Sequence, residues 1–477
     1  MPFLNRLREL AGDRPGHPAF CDARGECSYA TLLSRVEAAR GALWRQGIGQ
    51  GAVVGLALDD EAEHLVATLA LLAAGARQIV LATHDPPAVH QQLVARVGVT
   101  HVLARPGAAL PAGVARVDWP CADGLADAER EAVAPVPAAG LLLLKTSGTT
   151  GSMNLVAFDE GQIAAQAARH ADYRDERLLR LASIEHNNSK RHRLYCTWAG
   201  GTNVFRPAHV DAIDFALSQR VSCLDISRMH AADLADSPDA HRLGALKLRT
   251  GGSAVPIALR RAILERGTRQ LFVRYAATEC GAIAMALPGD HDADETVGRP
   301  LPGVELQVLG PHGQALPAGE TGEIRLRASG MATGYVDSPS QTAQRFRDGW
   351  FHPGDVGALR ADGHLIVQGR RDDMIVLNGL NIFPAEIERV LERHPSVAEA
   401  AALPLPSAVH GQIPVAAVVL RPGQSVTANE LRRFCHQHLG LRTPRRVLVV
   451  DRLPKNGQGK TLKRDLADAF QPEDATP

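Results

Sequence analysis

Apolar residues recur along the chain in two alternating rhythms. Tyr29, Leu32, Leu33, Val36, Ala39 and Leu43 fall at helical spacing within residues 29–49, a stretch that ends around Gly47. Val53–Leu58 is a continuous apolar run of the kind found in strands buried on both faces. An Ala/Leu-rich helix over Glu63–Ala74 follows, then a strand at Gln78–Leu81, a helix over 88–97 and a strand at Thr100–Leu103. After an Ala/Pro/Gly-rich connection, 105–138, the alternation resumes. The pattern predicts a helix at Glu160–His170 and strands at Ala245–Thr250 and Leu271–Tyr275. Strand and helix in turn predict an α/β fold with a largely parallel sheet. From about residue 304 the rhythm changes to short alternating strands, Val304–Val308 and Gly322–Leu326, separated by Gly/Pro turns, which read as a small antiparallel β unit. The last hundred residues predict a small α+β unit: a helix from Pro384 to His394, strands at Val397–Leu403 and Val415–Leu420, and a helix over Ala428–Leu439. The expected boundary lies at Arg370–Asp372. It separates a large N-terminal domain, 1–370, of parallel and mixed sheets with packed helices from a small mobile C-terminal domain, 371–477.

One stretch stands out from this framework. Leu141–Leu144 is an apolar run of strand length, and it leads through Lys145 into Thr146-Ser147-Gly148-Thr149-Thr150-Gly151. Glycine permits positive φ and close backbone approach, successive N–H groups form an anion-binding nest, and hydroxyls add donors. A flexible linker has the same composition, but a strand directly ahead favours a loop that cradles a polyphosphate. It is not the G-x-x-x-x-G-K-[ST] loop, because no Lys-Ser/Thr pair follows the second glycine. A second polar turn, Ala276-Ala277-Thr278-Glu279-Cys280-Gly281 after Leu271–Tyr275, falls at the carboxyl end of a sheet strand, where open α/β sheets bind ligands; its plain alternative is a strand-to-helix turn with a capping Thr. The basic run Ser189-Lys190-Arg191-His192-Arg193 reads most simply as a solvated helix face.

Composition narrows the partners. The 477 residues exceed one ordinary core. Lys plus Arg equals Asp plus Glu at 52 each, so nothing favours a nucleic-acid or anionic-membrane surface. Seven scattered cysteines without a C-x-x-C predict free thiols in a reducing cytoplasm and neither disulfides nor zinc. The N-terminal stretch Met1–Leu10 reads as a short amphipathic helix, and no apolar run is long enough to span a membrane.

Several separated motifs fall into one register. Thr146–Gly151, Tyr275-Ala276-Ala277-Thr278-Glu279, Gly349–Asp355, Gly369–Ile375, Gly379–Glu388 and Pro454–Lys460 occur in that order. In this the chain resembles the adenylate-forming superfamily of acyl- and aryl-CoA ligases, adenylation domains and luciferases, from about Tyr29 to about Asp465. The resemblance implies an AMP-forming acid–thiol ligase: a carboxylate attacks the α-phosphate of ATP, and a thiol then attacks the acyl-adenylate and releases AMP. By that resemblance Thr146, Ser147, Gly148, Thr149, Thr150 and Gly151 cradle the β- and γ-phosphates. Glu279, with Thr146, holds Mg²⁺, Thr278 bonds the α-phosphate, and Asp355 accepts the ribose hydroxyls with Arg370 in support. Gly252, Ser253, Tyr275, Ala276 and Ala277 flank the nucleotide. Lys460 bridges carboxylate and α-phosphate. His186, Asn187, Cys280 and Gly281 line the acyl pocket, Asp372 is the hinge, and Gly379 admits the thiol arm.

The departures are at the phosphate loop, where Ser152-Met153-Asn154 replaces a region that usually carries a lysine, and at Val376, which replaces another. The thiol is CoA or, in an alternative reading, the phosphopantetheine of a carrier protein supplied in trans. A third reading is a nucleotide-binding regulator without turnover. His186-Asn187 falls where the family lines its acyl pocket, and Asn188, Lys190, Arg191 and His192 follow it; read as a polar wall, this run predicts a small polar carboxylic acid, aromatic or short-chain, whereas a solvent-facing run leaves the substrate open. The resemblance leaves room for a homodimer.

Overall fold

The computed structural model describes residues 2–119, 140–146, 154–244, 246–291, 295–377, 380–407, 410–455 and 461–470. Their strands form four sheets. The first runs, in spatial order, Ala115–Asp118, His101–Ala104, Val53–Ala57, Arg77–Val80, Leu141–Thr146 and Asn154–Asp159. The first five are parallel, and Asn154–Asp159 folds back antiparallel on Leu141–Thr146. The second sheet has nine strands, with Arg177–Leu179, Cys223–Ser227, Lys247–Gly251 and Leu271–Ala277 parallel at its heart and antiparallel pairs at both edges.

One apolar core draws on strands of both sheets and on the helices Pro2–Asp13, Tyr29–Arg45, Glu61–Ala73, Glu160–Ala168 and Asn187–Ala199. Glu61–Ala73 is buried from Ala62 onward, which is why it reads apolar on every side. Its start is capped by Asp60, whose carboxylate accepts from the Glu63 N–H.

The antiparallel unit is the third sheet, with Val304–Leu309, Gly322–Ala328, Asp355–Leu359 and Leu365–Arg370 as its main strands. The fourth sheet joins Ile375–Leu377, Leu380–Ile382, Val397–Ser407, Gly411–Leu420 and Arg446–Val449, and with helices Pro384–Glu392 and Ala428–Leu439 it holds a core of its own. The mixed α/β architecture with a large N-terminal and a small C-terminal unit is therefore the expected one.

Three local expectations change. Residues 105–138 contain an edge strand, Ala115–Asp118, and residues 120–139 lie outside the described set. The C-terminal unit carries three strands beyond the two expected: Ile375–Leu377, Leu380–Ile382 and Arg446–Val449. The basic run is not a solvated face. Ser189, Lys190, Arg191, His192 and Arg193 are all buried in the helix Asn187–Ala199. Cys21, Cys27, Cys196, Cys223, Cys280 and Cys435 are free and buried, and Cys121 lies outside the described residues. Among the described residues no helix is long and apolar enough to cross a membrane.

Candidate active site

Two of the polar motifs meet where the end of the strand Leu271–Ala277 approaches the start of Asp355–Leu359 in the third sheet. Tyr275 donates its hydroxyl to Asp355 Oδ2, joining side chains 80 residues apart in sequence. Asp355 opens its strand directly opposite Arg370, whose Nε lies 3.4 Å from Asp355 Oδ1. Burial raises the Asp355 pKa, and Arg370 and the Tyr275 hydroxyl work against that rise. Gly354, just before it, takes a backbone conformation that favours glycine. Its φ is +80°, and a Cβ there would stand 2.0 Å from Arg345 Nη1. Arg345 in turn donates to Asp372 Oδ2 at 2.6 Å. The expected hinge residue is thus latched to the body of the large domain. Burial, the largest influence on the Asp372 carboxyl, pushes its pKa up, but Arg345, Arg370 and Arg371 together hold it below the ordinary value.

Glu279 is reached from the third sheet's side. The Tyr335 hydroxyl donates to Glu279 Oε1 at 2.8 Å, and the Glu279 carbonyl accepts from the Ala332 N–H at 2.7 Å. Burial and the Glu279 charge push the Tyr335 pKa up, so this phenol stays a donor. Cys280 packs with Ile283, Leu326 and Phe351, and burial raises its thiol to about 12, which makes it an inert packing group. Gly281 starts the next strand at φ +76°. Gly252 (φ +87°) and Ser253 are exposed beyond Lys247–Gly251, and Ala276 and Ala277 close the neighbouring strand.

At the phosphate-loop strand, Thr146 is buried and pairs with Asn154. Ser147, Gly148, Thr149, Thr150 and Gly151 lie outside the described residues, as do Gly379 and Lys460. Lys145, beside the loop, is committed to Asp85 (Nζ to Oδ2, 2.8 Å). Its carbonyl accepts from the Asn187 side-chain amide, which docks the N-terminus of the helix Asn187–Ala199 against this strand. The His186 ring lies 5.2 Å from that of His84, and burial, with His84 and Lys145 nearby, lowers its pKa. Thr83 donates from its N–H and hydroxyl to the two oxygens of Glu185, at 2.8 and 3.0 Å. Sequence reasoning did not single out Thr83, His84, Asp85 or Glu185. The polar turn directly after the strand Arg77–Val80 was the available signal.

Beneath these motifs lies a buried ionic cluster, also unanticipated. Asp225 accepts from Arg274 Nη1 and Nη2 at 2.7 and 3.1 Å and from the Tyr173 hydroxyl at 3.1 Å, and Arg180 Nη1 stands 2.8 Å away. Burial pushes the Asp225 carboxyl up, but Arg180 and Arg274 outweigh it and hold it well below 3.8. Lys190 is fully buried, with Nζ 3.3 Å from Gln78 Oε1, and burial brings its pKa down to about 7.

Lys455 and Thr461, on either side of residues 456–460, form an antiparallel bridge, and Lys455 Nζ pairs with Glu399 Oε2 at 2.6 Å. Besides the pairs at the boundary itself, Arg345 to Asp372 and Arg371 to Glu323, ion pairs join the body of the small unit to the large one at Arg228–Glu392 (2.5 Å) and Arg389–Glu295 (2.9 Å).

The chain matches known proteins over its length. The family model for AMP-binding enzyme covers residues 7–336, and that for the AMP-binding enzyme C-terminal domain covers 386–460. Indoleacetate–CoA ligase of Aromatoleum aromaticum is 29% identical over 96% of both chains. ATP-bound MatB from Rhodopseudomonas palustris superposes with a TM-score of 0.87 at 26% identity, covering 98% of this chain and 99% of that one, whereas its apo structure superposes at 0.76. The o-succinylbenzoate CoA synthetase MenE of Bacillus subtilis, in complex with its acyl-adenylate intermediate, superposes at 0.85 with 25% identity over 98% and 99% of the two chains. With a family model spanning most of the large unit and a second one on the small unit, the chain belongs to the AMP-binding enzymes of the adenylate-forming superfamily.

Proposed function

We propose that the protein is an ATP-dependent acid–thiol ligase that activates a small polar carboxylic acid and passes the acyl group to CoA. A substrate carboxylate oxygen attacks the α-phosphorus of ATP and pyrophosphate leaves. The thiol sulfur then attacks the acyl carbon, its proton is lost, and AMP leaves with the oxygen it gained from the acid. The observation that carries this reading is the convergence of Asp355, bonded by Tyr275 and Arg370, with the Thr278–Glu279 turn. Asp355 offers acceptors for ribose hydroxyls, Thr278 a donor for the α-phosphate, and Lys460 a cation at the reacting carboxylate. The large domain ends after Arg370, and residues 371–477 form the domain that turns about Asp372.

Mg²⁺ fits this donor set. Among the described residues no three His, Cys, Asp or Glu side chains gather as a metal cluster, and Mg²⁺ at nucleotide sites takes one or two protein oxygens plus phosphates. Glu279 and Thr146 would supply the protein oxygens, and the ion would neutralise the charge of the leaving pyrophosphate. Tyr335 fixes Glu279 from behind, so Tyr335→Phe is expected to raise the Mg²⁺ concentration for half-maximal pyrophosphate exchange by about tenfold. An unchanged Mg²⁺ titration removes Tyr335 from this role.

Lys190, Arg191 and His192 are buried and already bonded to Gln78, the Thr278 carbonyl and the Tyr173 hydroxyl, so the polar wall offered to an acid is the half-buried pair His186 and Asn187. A long alkyl chain there would leave polar groups without partners, at a cost of about 1–3 kcal/mol each. Hydroxylated benzoates or short polar acids are therefore expected to support ATP–pyrophosphate exchange, and C12–C16 acids are not. Turnover of the long acids alone contradicts the substrate class, and no exchange with any acid favours a nucleotide binder without turnover. Offering CoA and carrier proteins in parallel separates the two acceptors.

A further inference from the structure

Three consecutive carbonyls of the turn after Leu271–Ala277 are each held from behind. The Thr278 carbonyl accepts from Arg191 Nη1 at 2.8 Å, that of Glu279 from the Ala332 N–H at 2.7 Å, and that of Cys280 from Arg169 Nη2 at 2.7 Å. Arg191 is buried, lies over the Phe158 ring at 5.8 Å and also donates to Gln166 Oε1 at 3.4 Å. Gln166 is itself fixed, accepting from the Tyr195 hydroxyl and donating to the Gly330 carbonyl at 2.6 Å. Among the described residues, neither Arg191 nor Arg169 forms an ion pair with a carboxylate. Both guanidiniums spend their hydrogen bonds on neutral acceptors directly behind the turn.

Two consequences follow from elementary physics. In a trans peptide the carbonyl and the following N–H point in opposite directions. A charged donor on the Thr278 carbonyl therefore fixes and polarises the Glu279 N–H on the far side of the turn. A buried positive charge that forms no ion pair also projects its potential through a low-dielectric interior. The phosphate loop of this chain lacks a lysine at Ser152–Asn154, and Lys145 is taken by Asp85.

We propose that Arg191, seconded by Arg169, is a positioning residue that holds the Thr278–Cys280 turn from behind and supplies the positive potential with which the turn receives an α-phosphate. This rests on the reading of Thr278 as the α-phosphate contact, and Arg191 itself touches no substrate.

The test compares binding of AMP and adenosine by calorimetry, since the two differ only in that phosphate. Arg191→Met is expected to lower AMP affinity by about tenfold, the size of one charge-assisted hydrogen bond, with adenosine affinity unchanged. Arg191→Lys, which keeps the charge, should recover most of the loss. Thr278→Val serves as the control for the underlying reading. An AMP preference that survives Arg191→Met but collapses in Thr278→Val overturns the inference and keeps the reading. A preference that survives Thr278→Val overturns the reading of Thr278 instead. Equal loss of AMP and adenosine in Arg191→Met, not restored by Arg191→Lys, makes Arg191 a purely structural residue and also overturns the inference. Arg169→Met, at a less buried position, repeats the comparison should Arg191→Met not fold. The same selective loss of AMP is expected there, and an unchanged ratio overturns the inference.

Discussion

Lys460→Ala is expected to reduce acyl-adenylate formation by roughly 10²–10³-fold, the effect of removing one preorganised charge from a reacting centre. Conversion of a supplied acyl-adenylate to thioester should be nearly unchanged. The reason is spatial: one site cannot keep a lysine on the α-phosphate and also admit a thiol arm through the same space. Rotation of residues 371–477 about Asp372 would withdraw Lys460 and bring the Gly379 loop to the site. In the structure this rotation is latched, because Asp372 is held by Arg345 at 2.6 Å and Arg370 Nη2 lies 3.7 Å from the same oxygen. Two substitutions at Asp372 separate the latch from the hinge. Asp372→Pro fixes φ, so pyrophosphate exchange should persist while thioester formation is lost. Asp372→Ala removes the ion pair but leaves the backbone free, so both half-reactions should continue. If Lys460→Ala and Asp372→Pro each lose both half-reactions equally while folded, domain alternation is wrong for this chain.

Asp225→Ala is expected to cost about 3–5 kcal/mol of stability, because it leaves Arg180 and Arg274 buried without their counter-charge. Replacing Asp225 together with both arginines by apolar residues of similar volume should recover most of that loss. Denaturant unfolding reads both effects, and a loss below about 1 kcal/mol for Asp225→Ala would assign the cluster no structural weight. The pH dependence has a definite sign. The folded Asp225 pKa is depressed, so its stabilisation is full above 3.8 and is lost only as pH falls through the lower folded value. His64, His170 and His192 are held neutral, chiefly by burial, well below 6.5. Their folded pKa is also depressed, so stability falls as pH drops below 6.5 and unfolding there takes up protons. Acid destabilisation is therefore expected to begin near pH 6.5, from the histidines, and well before Asp225 is protonated.

The features legible in the sequence are those that leave a local mark. Continuous apolar runs marked the parallel strands, since both faces of Val53–Ala57 and Leu141–Thr146 are covered. Tyr275–Glu279 and Gly349–Asp355 carry glycine, threonine and acidic residues in a fixed order that marks them in the sequence, although only folding brings Tyr275 to Asp355. The basic run was open to two readings, a solvated face and a buried polar wall, because charge usually means solvent. Its partners are distant in sequence: Arg193 reaches Glu61 at 2.6 Å, Lys190 reaches Gln78, and Arg191 reaches Thr278. One sign was present, in that Asn187–Arg193 carries polar residues on every helical face, which an amphipathic surface helix does not. Ala115–Asp118 escaped notice because an edge strand of four residues in a Pro/Gly-rich stretch carries little periodicity. Asp225 was hidden within an apolar strand, Cys223–Ser227, where a lone carboxylate has no local pattern to announce it.

The central claim is that the acid's own oxygen attacks the α-phosphate of ATP, and isotope transfer tests it most directly. With an acid labelled by ¹⁸O in its carboxylate, with ATP, Mg²⁺ and CoA, mass spectrometry of the released AMP should find one ¹⁸O atom per molecule formed. AMP that carries no label while thioester accumulates would mean that no acyl-adenylate lies on the path, and would contradict the account.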